Sequence, residues 1–425
     1  MKMKYIEIEG GRPLQGEIAI QGSKNAALPM MAAALLTNQP VSIGRCPDIE
    51  DVHVMCELLQ HIGAQITWRG DSVRIQMRQI QNTVLPEALV RKMRSSIMLL
   101  GPLLARTGRA EMTFPGGCVI GSRPIDLHLA ALQQRGFLIE EKAGCLIGRK
   151  SLEHAAQVCR IHLRFPSVGA TENILMNAVL GSGQTILSGA AVEPEVTALA
   201  MMLRQMGARI EGIGSQQLSI QAVPYLHGIQ TSVMADRIVA GTYLLAAAAT
   251  KGDIWLHGAR AQDNRALLHI LEEMGCEIED HEKREWIHLK APAVLKPVDV
   301  RTDPYPGFAT DLQAMLMIVM TQTEGISHIE ETIFENRFRH VEALRRIGAR
   351  IQVHQMTAAI HGATRLQPGV LWATDLRAGA AMVLAGLCAS GHTQIRELSH
   401  IERGYEDIVR DLQKLGAVIS VKSDE

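Results

Sequence analysis

A cysteine stands between a paired glycine and an arginine in PGGCVIGSRP, residues 115–124, a setting that none of the other cysteines shares. Pro115, Gly116 and Gly117 predict a loop or tight turn, so the Cys118 thiol need not be packed. Arg123 nearby would draw the thiol pKa from ~8.5 toward neutrality, which suits a nucleophile or a proton donor. A buried, inert thiol is the competing reading, and the local chemistry leaves both open.

Three more segments place ionisable groups at the edge of an apolar run: QGSKNAALP (21–29), TDPYPGFATDLQA (302–314), and the pair ENRFRH (335–340) with TDLRAGAA (374–381). Lys24 follows Gly22 and Ser23 where a helix begins, and helix N-terminal amides favour an anion, so Lys24 is a candidate phosphate ligand. A solvated lysine at a cap is the plainer alternative, and the spacing is not that of a P-loop. Asp311 and Asp375 each follow a threonine and open an apolar helix. Either could be a helix-stabilising carboxylate, or a general base acting in concert with bond formation.

Arginines recur at turns: Arg94, Arg123, Arg237, Arg337, Arg377 and Arg403. Singly, each reads as a surface or ion-pair residue. Together with a lysine they would suit a substrate carrying phosphate and carboxylate groups, which guanidinium forks bind bidentately. The chain as a whole supplies no such field, since 43 Lys and Arg oppose 44 Asp and Glu. Any anion site is therefore locally assembled, and a nucleic-acid partner lacks both its basic stripe and its aromatic platforms.

These groups must be positioned by something, and an octet repeated six times shows what. It reads LQHIGAQI from Leu59, LQQRGFLI from Leu132, LRQMGARI from Leu203, LEEMGCEI from Leu271, LRRIGARI from Leu344 and LQKLGAVI from Leu412. Each is a helix C-terminus closed by glycine and followed by a short alternating strand. Upstream, in most repeats, lie a helix of small apolar residues and a strand: ALPMMAAALL then VSIGR, RIVAGTYLLAAAA then DIWLHG, DLQAMLMIVM then ISHIEE, and DLRAGAAMVLAGLC then TQIREL. Helices apolar all round belong inside. Pattern alone leaves a six-repeat solenoid and two three-repeat globes both open.

Length and composition agree with a globular protein of two or more domains: 425 residues, 47% hydrophobic and only 4% aromatic. Seven dispersed cysteines without a zinc spacing read as reduced thiols in a cytoplasmic protein. The N-terminal MKMKYIEIEGG alternates like a strand and lacks the apolar core of a signal peptide. Apolar runs such as residues 238–249 are shorter than the ~20 residues that span a bilayer.

Nine segments, in order along the chain, resemble the enolpyruvyl transferase family: QGSKNAALP, PGGCVIGSRPIDLH, FPSVGATEN, EPEV, ADRIVAGTY, TDLQA, FENRF, DLRAGAA and IERGYE. The resemblance implies an α/β (α+β) fold of two inside-out α/β domains, each of three βαβαββ repeats around buried helices. It implies one domain over residues 23–235 carrying the cysteine loop. Residues 1–22 with 236–425 would form the other, containing both termini, with the active site in the cleft between them.

The implied reaction moves the enolpyruvyl group of phosphoenolpyruvate to the 3'-hydroxyl of UDP-N-acetylglucosamine with release of phosphate. It proceeds by addition and elimination through a tetrahedral intermediate and is the first committed step of peptidoglycan synthesis. No metal or organic cofactor and no membrane or nucleic-acid partner is implied. Residue by residue, Cys118 resembles the family's proton donor, which also carries phosphoenolpyruvate as a covalent adduct. Asp311 resembles the carboxylate that binds the 3'-hydroxyl and takes its proton. Lys24, Arg123 and Arg403 match phosphate ligands, Arg337 and Arg377 the groups around the pyruvyl carboxylate, and Asp375 a neighbour that aids proton transfer or orders the arginines. Asn25 matches a contact to both substrates. Contacts to the nucleotide sugar fall further on Arg94, Arg123, Pro124, Ile125, Asp126, Leu127, Ser167, Val168, Asp311 and Ile333.

Two departures bear on the nucleotide: Phe165 and Pro166 stand where some members carry Lys and Val, and Met98 where some carry Trp. Within the family the alternative is transfer to shikimate 3-phosphate, whose enzymes generally lack the PGGCxxGxRP loop. Outside catalysis the alternative is a silent regulatory paralogue, which predicts lost catalytic groups.

Overall fold

All six LxxxG octets end a helix, and each glycine has a positive φ, from 81° at Gly416 to 120° at Gly63. Residues with a Cβ resist that conformation, so glycine releases the chain from the helix and turns it back. A strand follows every time: Gln65–Arg69, Phe137–Lys142, Arg209–Glu211, Glu277–His281, Arg350–His354 and Val418–Ser423.

The computed structural model describes residues 4–116, 125–151 and 157–424. The chain divides into two units, one built from the residues up to Gln21 with Ala235–Glu425, the other lying within residues 22–234. Three sheets belong to each.

A repeat runs strand, apolar helix, strand, octet helix, hairpin. In the third repeat Val158–His162 pairs parallel with Gln184–Ser188, which pairs antiparallel with Gln217–Gln221, and Arg209–Glu211 takes the edge. The fifth repeats this order with Asp299–Arg301, Ile326–Glu330, Thr357–His361 and Arg350–His354. The sixth has only one strand after its octet helix. Lys4–Glu9 fills the vacant place, between His392–Arg396 and Val418–Ser423, and turns Ile6 and Ile8 inward.

The apolar helices lie inside. All nine residues of Gln313–Thr321 are buried, and this helix packs on both Arg237–Ala249 and Leu376–Cys388. The other unit has its own core, around Lys24–Ala33, Leu100–Thr107 and Val168–Ala178. Burial of each large aliphatic side chain contributes about 2 kcal/mol. Helix approach is close enough that a Cβ on Gly241 would lie 2.7 Å from Leu312 Cδ1. These are inside-out α/β units. Among the described residues no helix is long and apolar enough to cross a membrane.

Candidate active site

Between strand Asp299–Arg301 and helix Gln313–Thr321 the chain makes one 3-10 turn, Thr310–Leu312. Asp311 sits on it, and its side chain is 28% exposed. Arg337 Nη2 donates to Asp311 Oδ1 at 2.7 Å, and Arg377 Nη2 donates to Oδ2 at 2.7 Å. Arg337 also reaches Thr310 O through Nε at 3.2 Å and Nη2 at 3.1 Å, so its fork spans the turn and the carboxylate together. Burial alone would depress the Arg377 guanidinium, but the Asp311 carboxylate, with Tyr405 and Asp236, outweighs it and holds the proton more firmly than usual.

The two threonine-preceded aspartates therefore differ in kind. Asp375 is a true N-cap: its Oδ1 accepts from the amides of Arg377 at 2.9 Å and Ala378 at 3.1 Å, opening helix Leu376–Cys388. That cap fixes the first turn from which Arg377 reaches Asp311. Asp311 is no cap; its carboxylate is given to arginines.

Three further residues support this cluster, and sequence reasoning did not single them out. Glu331 Oε2 accepts from Thr310 Oγ1 at 2.9 Å. The Tyr405 hydroxyl bonds Thr242 Oγ1 at 2.8 Å and also faces Arg377; burial raises its pKa against both. Arg403 lies two residues earlier, half-buried at the end of helix Ser399–Glu402. His340, in ENRFRH, places Nδ1 3.1 Å from the Arg337 carbonyl. A carbonyl only accepts, so Nδ1 carries the proton. Burial pushes this imidazole down to about 4, with Asp375 opposing. Ile333 belongs to the turn after strand Ile326–Glu330 and donates its amide to Glu331 Oε1 at 2.9 Å.

In the other unit the candidates sit where helices start. Ser23 caps helix Lys24–Ala33, and its first residues are Lys24 and Asn25. Lys24 Nζ meets Asp51 Oδ2 at 2.7 Å, with side chains only 11% and 3% exposed. It is therefore not a solvated cap residue, and an arriving anion would share this ammonium with a buried carboxylate. Arg94 begins the 3-10 helix Arg94–Leu99. Asp126 and Leu127 begin helix Asp126–Gln134, Ile125 is its N-cap, and Asp126 pairs with Arg164. Ser167 caps helix Val168–Ala178 through the amide of Ala170 at 3.3 Å.

Asn173, inside helix Val168–Ala178, ties these segments together. Asn173 Nδ2 donates to His128 Nδ1 at 2.9 Å and to Ile97 O at 2.9 Å, while its Oδ1 accepts from Gly101 N. Burial pushes His128 down to about 4; Arg94 assists and Asp126 opposes. The two departures separate here. Phe165 is 42% exposed, its carbonyl accepting from Ser167 N at 2.7 Å. Met98 is buried, close against Gly169. Cys118, Arg123 and Pro124 lie outside the described residues. Among the described residues no group of His, Cys, Asp and Glu is arranged to hold a metal ion.

The family model described as EPSP synthase (3-phosphoshikimate 1-carboxyvinyltransferase) matches residues 8–412. A relative from Carboxydothermus hydrogenoformans, UDP-N-acetylglucosamine 1-carboxyvinyltransferase 2, is 44% identical over 425 residues, covering 99% of this chain and 100% of its own. Another from Desulfosudis oleivorans, UDP-N-acetylglucosamine 1-carboxyvinyltransferase, is 45% identical over 98% of this chain and 99% of its own. Among solved structures, the enolpyruvyl transferase NikO from Streptomyces tendae superposes with a TM-score of 0.88 at 26% identity, over 100% of both chains. EPSP synthase from Acinetobacter baumannii gives 0.78 at 18% identity, covering 99% and 100%, a likeness of fold.

Proposed function

The chain belongs to the enolpyruvyl transferase family whose model is described as EPSP synthase, and on that premise we propose that it acts on UDP-N-acetylglucosamine. It transfers the enolpyruvyl group of phosphoenolpyruvate to the 3'-hydroxyl and releases phosphate, in peptidoglycan synthesis. The observation that carries this is end-to-end identity of 44–45% to relatives named for this transfer. PGGCVIGSRP points the same way, away from shikimate 3-phosphate. The cytoplasm, which holds both substrates and keeps thiols reduced, is where the enzyme works.

Asp311 binds the 3'-hydroxyl and takes its proton, while Cys118 gives a proton to the enol methylene and can hold phosphoenolpyruvate as an adduct. Lys24, Arg123 and Arg403 take the phosphate, and Arg337 and Arg377 the pyruvyl carboxylate. The nucleotide sugar meets Asn25, Arg94, residues 123–127, Ser167, Val168 and Ile333. Support for the Asp311 assignment comes from its setting. The two arginines that hold its carboxylate are those assigned to the substrate carboxylate, so an arriving substrate competes with Asp311 for them. That exchange loosens Asp311 as its target arrives and lets it act as a base in concert with carbon–oxygen bond formation.

Phosphate release measured with phosphoenolpyruvate and UDP-N-acetylglucosamine, together and singly, tests the reading. Turnover is expected only with both present, and Cys118→Ala is expected to abolish it. Silence with this pair, but turnover with shikimate 3-phosphate, would overturn the assignment.

A further inference from the structure

We infer that Glu331 is a positioning residue that sets the reach of Asp311, with the Thr310 hydroxyl as the link. The inference rests on the reaction proposed above.

Glu331 follows strand Ile326–Glu330 and is 1% exposed. A buried carboxylate is costly unless donors surround it. This one has three on its side chain. Oε1 accepts from the amides of Ile333 at 2.9 Å and Phe334 at 3.1 Å, and Oε2 from Thr310 Oγ1 at 2.9 Å. Its own amide is anchored on Met356 O at 2.8 Å.

The donors identify the role. Two lie in the turn that leads to Arg337, and the third belongs to the residue before Asp311. One carboxylate thus fixes both sides of the Arg337–Asp311 contact. The far side is pinned as well, because Thr332 N donates to Thr302 Oγ1 at 2.9 Å, tying the same turn to the strand that feeds Thr310. Buried at 1% exposure, the Glu331 side chain does not face an arriving substrate, so it acts through Thr310 and the turn. A displacement of about 1 Å at a reacting group costs on the order of 100-fold in rate, and a 3-10 turn has few bonds of its own to resist one.

Thr310→Val removes the hydroxyl at nearly constant shape and leaves the amide donors to Glu331 in place; Thr310→Ser keeps the hydroxyl. Steady-state kinetics of both variants and the parent, with melting curves, test the inference. Thr310→Val is expected to lower kcat roughly 10- to 100-fold while KM for each substrate stays within about threefold, and Thr310→Ser to recover kcat to within about threefold of the parent. Parental kcat in Thr310→Val would overturn the positioning role alone. Equal losses in the Val and Ser variants would also overturn it, since the hydroxyl would then be irrelevant. No phosphate release from the parent would sink the functional reading and this inference with it.

Discussion

Arg377 donates to Asp311 Oδ2 at 2.7 Å across 66 residues of chain, from the first turn of a helix whose N-cap is another carboxylate. Asp375 and Asp311 thus hold the two ends of one arginine: the first fixes its backbone, the second its guanidinium. With Arg337 on Oδ1, the Asp311 carboxylate occupies a seat suited to a small anionic substrate.

Asp311→Asn tests that seat. The amide can accept from one arginine, but its NH2 group faces the other, so a guanidinium loses its anion. We expect kcat to fall about 100- to 1,000-fold with KM for the nucleotide sugar changed only severalfold. Phosphoenolpyruvate alone, measured by calorimetry, should bind the variant more tightly than the parent, because it no longer competes with Asp311. Equal losses in turnover and nucleotide binding would reduce Asp311 to a binding residue.

The octets and apolar helices were legible in the sequence because their information is local: a 3.6-residue period, a closing glycine, a strand after it. The place of Lys4–Glu9 was not. Its alternation announces a strand, but its partners begin at His392 and Val418, and no local signal names them. The site divides in the same way. Asp311, Asp375, Lys24 and the arginines stood out as charges at the edges of apolar helices. Glu331, Asp51 and His128 did not, because a buried carboxylate or imidazole has meaning only through donors that the fold brings from elsewhere.

The buried imidazole of His340 should make stability pH-dependent. Its folded pKa of about 4 lies below the ordinary imidazole value of 6.5, so the unfolded chain takes the proton first as pH falls. Stability from this group is intact above pH ~6.5 and declines down to pH ~4, the loss being about 2 kcal/mol at pH 5. Asn can keep a donor near the Nδ1 position without titrating. Urea unfolding of His340→Asn and parent, followed by tryptophan fluorescence at pH 7.5 and 5.0, should show a smaller acid loss in the variant. Parallel curves would refute this. His128, with the same low value of about 4, should behave likewise in the other unit.

Glu172 runs the opposite way. It is 2% exposed within helix Val168–Ala178, and its Oε1 finds no partner among the described residues. Burial raises its pKa well above the carboxylate range, and the neighbouring charges of Glu195 and Glu193 raise it further. In the unfolded chain the group ionises near pH 4.5; in the fold it keeps its proton to higher pH. The folded state thus binds more protons above pH ~4.5, and stability falls as pH rises toward the folded value. Glu172→Gln keeps the shape, removes the titration and can donate its NH2 to a neighbouring carboxylate. We expect the variant to be more stable than the parent at pH 8, on the order of 1 kcal/mol, with the advantage shrinking toward pH 5. A variant less stable at pH 8 would show that Glu172 is paired as an anion in the fold, and an advantage that does not vary with pH would show that folding leaves its titration unshifted; either outcome refutes the prediction. On acidification the histidines lose stability, whereas Glu172 regains it. The parent's pH profile is therefore a sum of opposing slopes, and the single variants separate them.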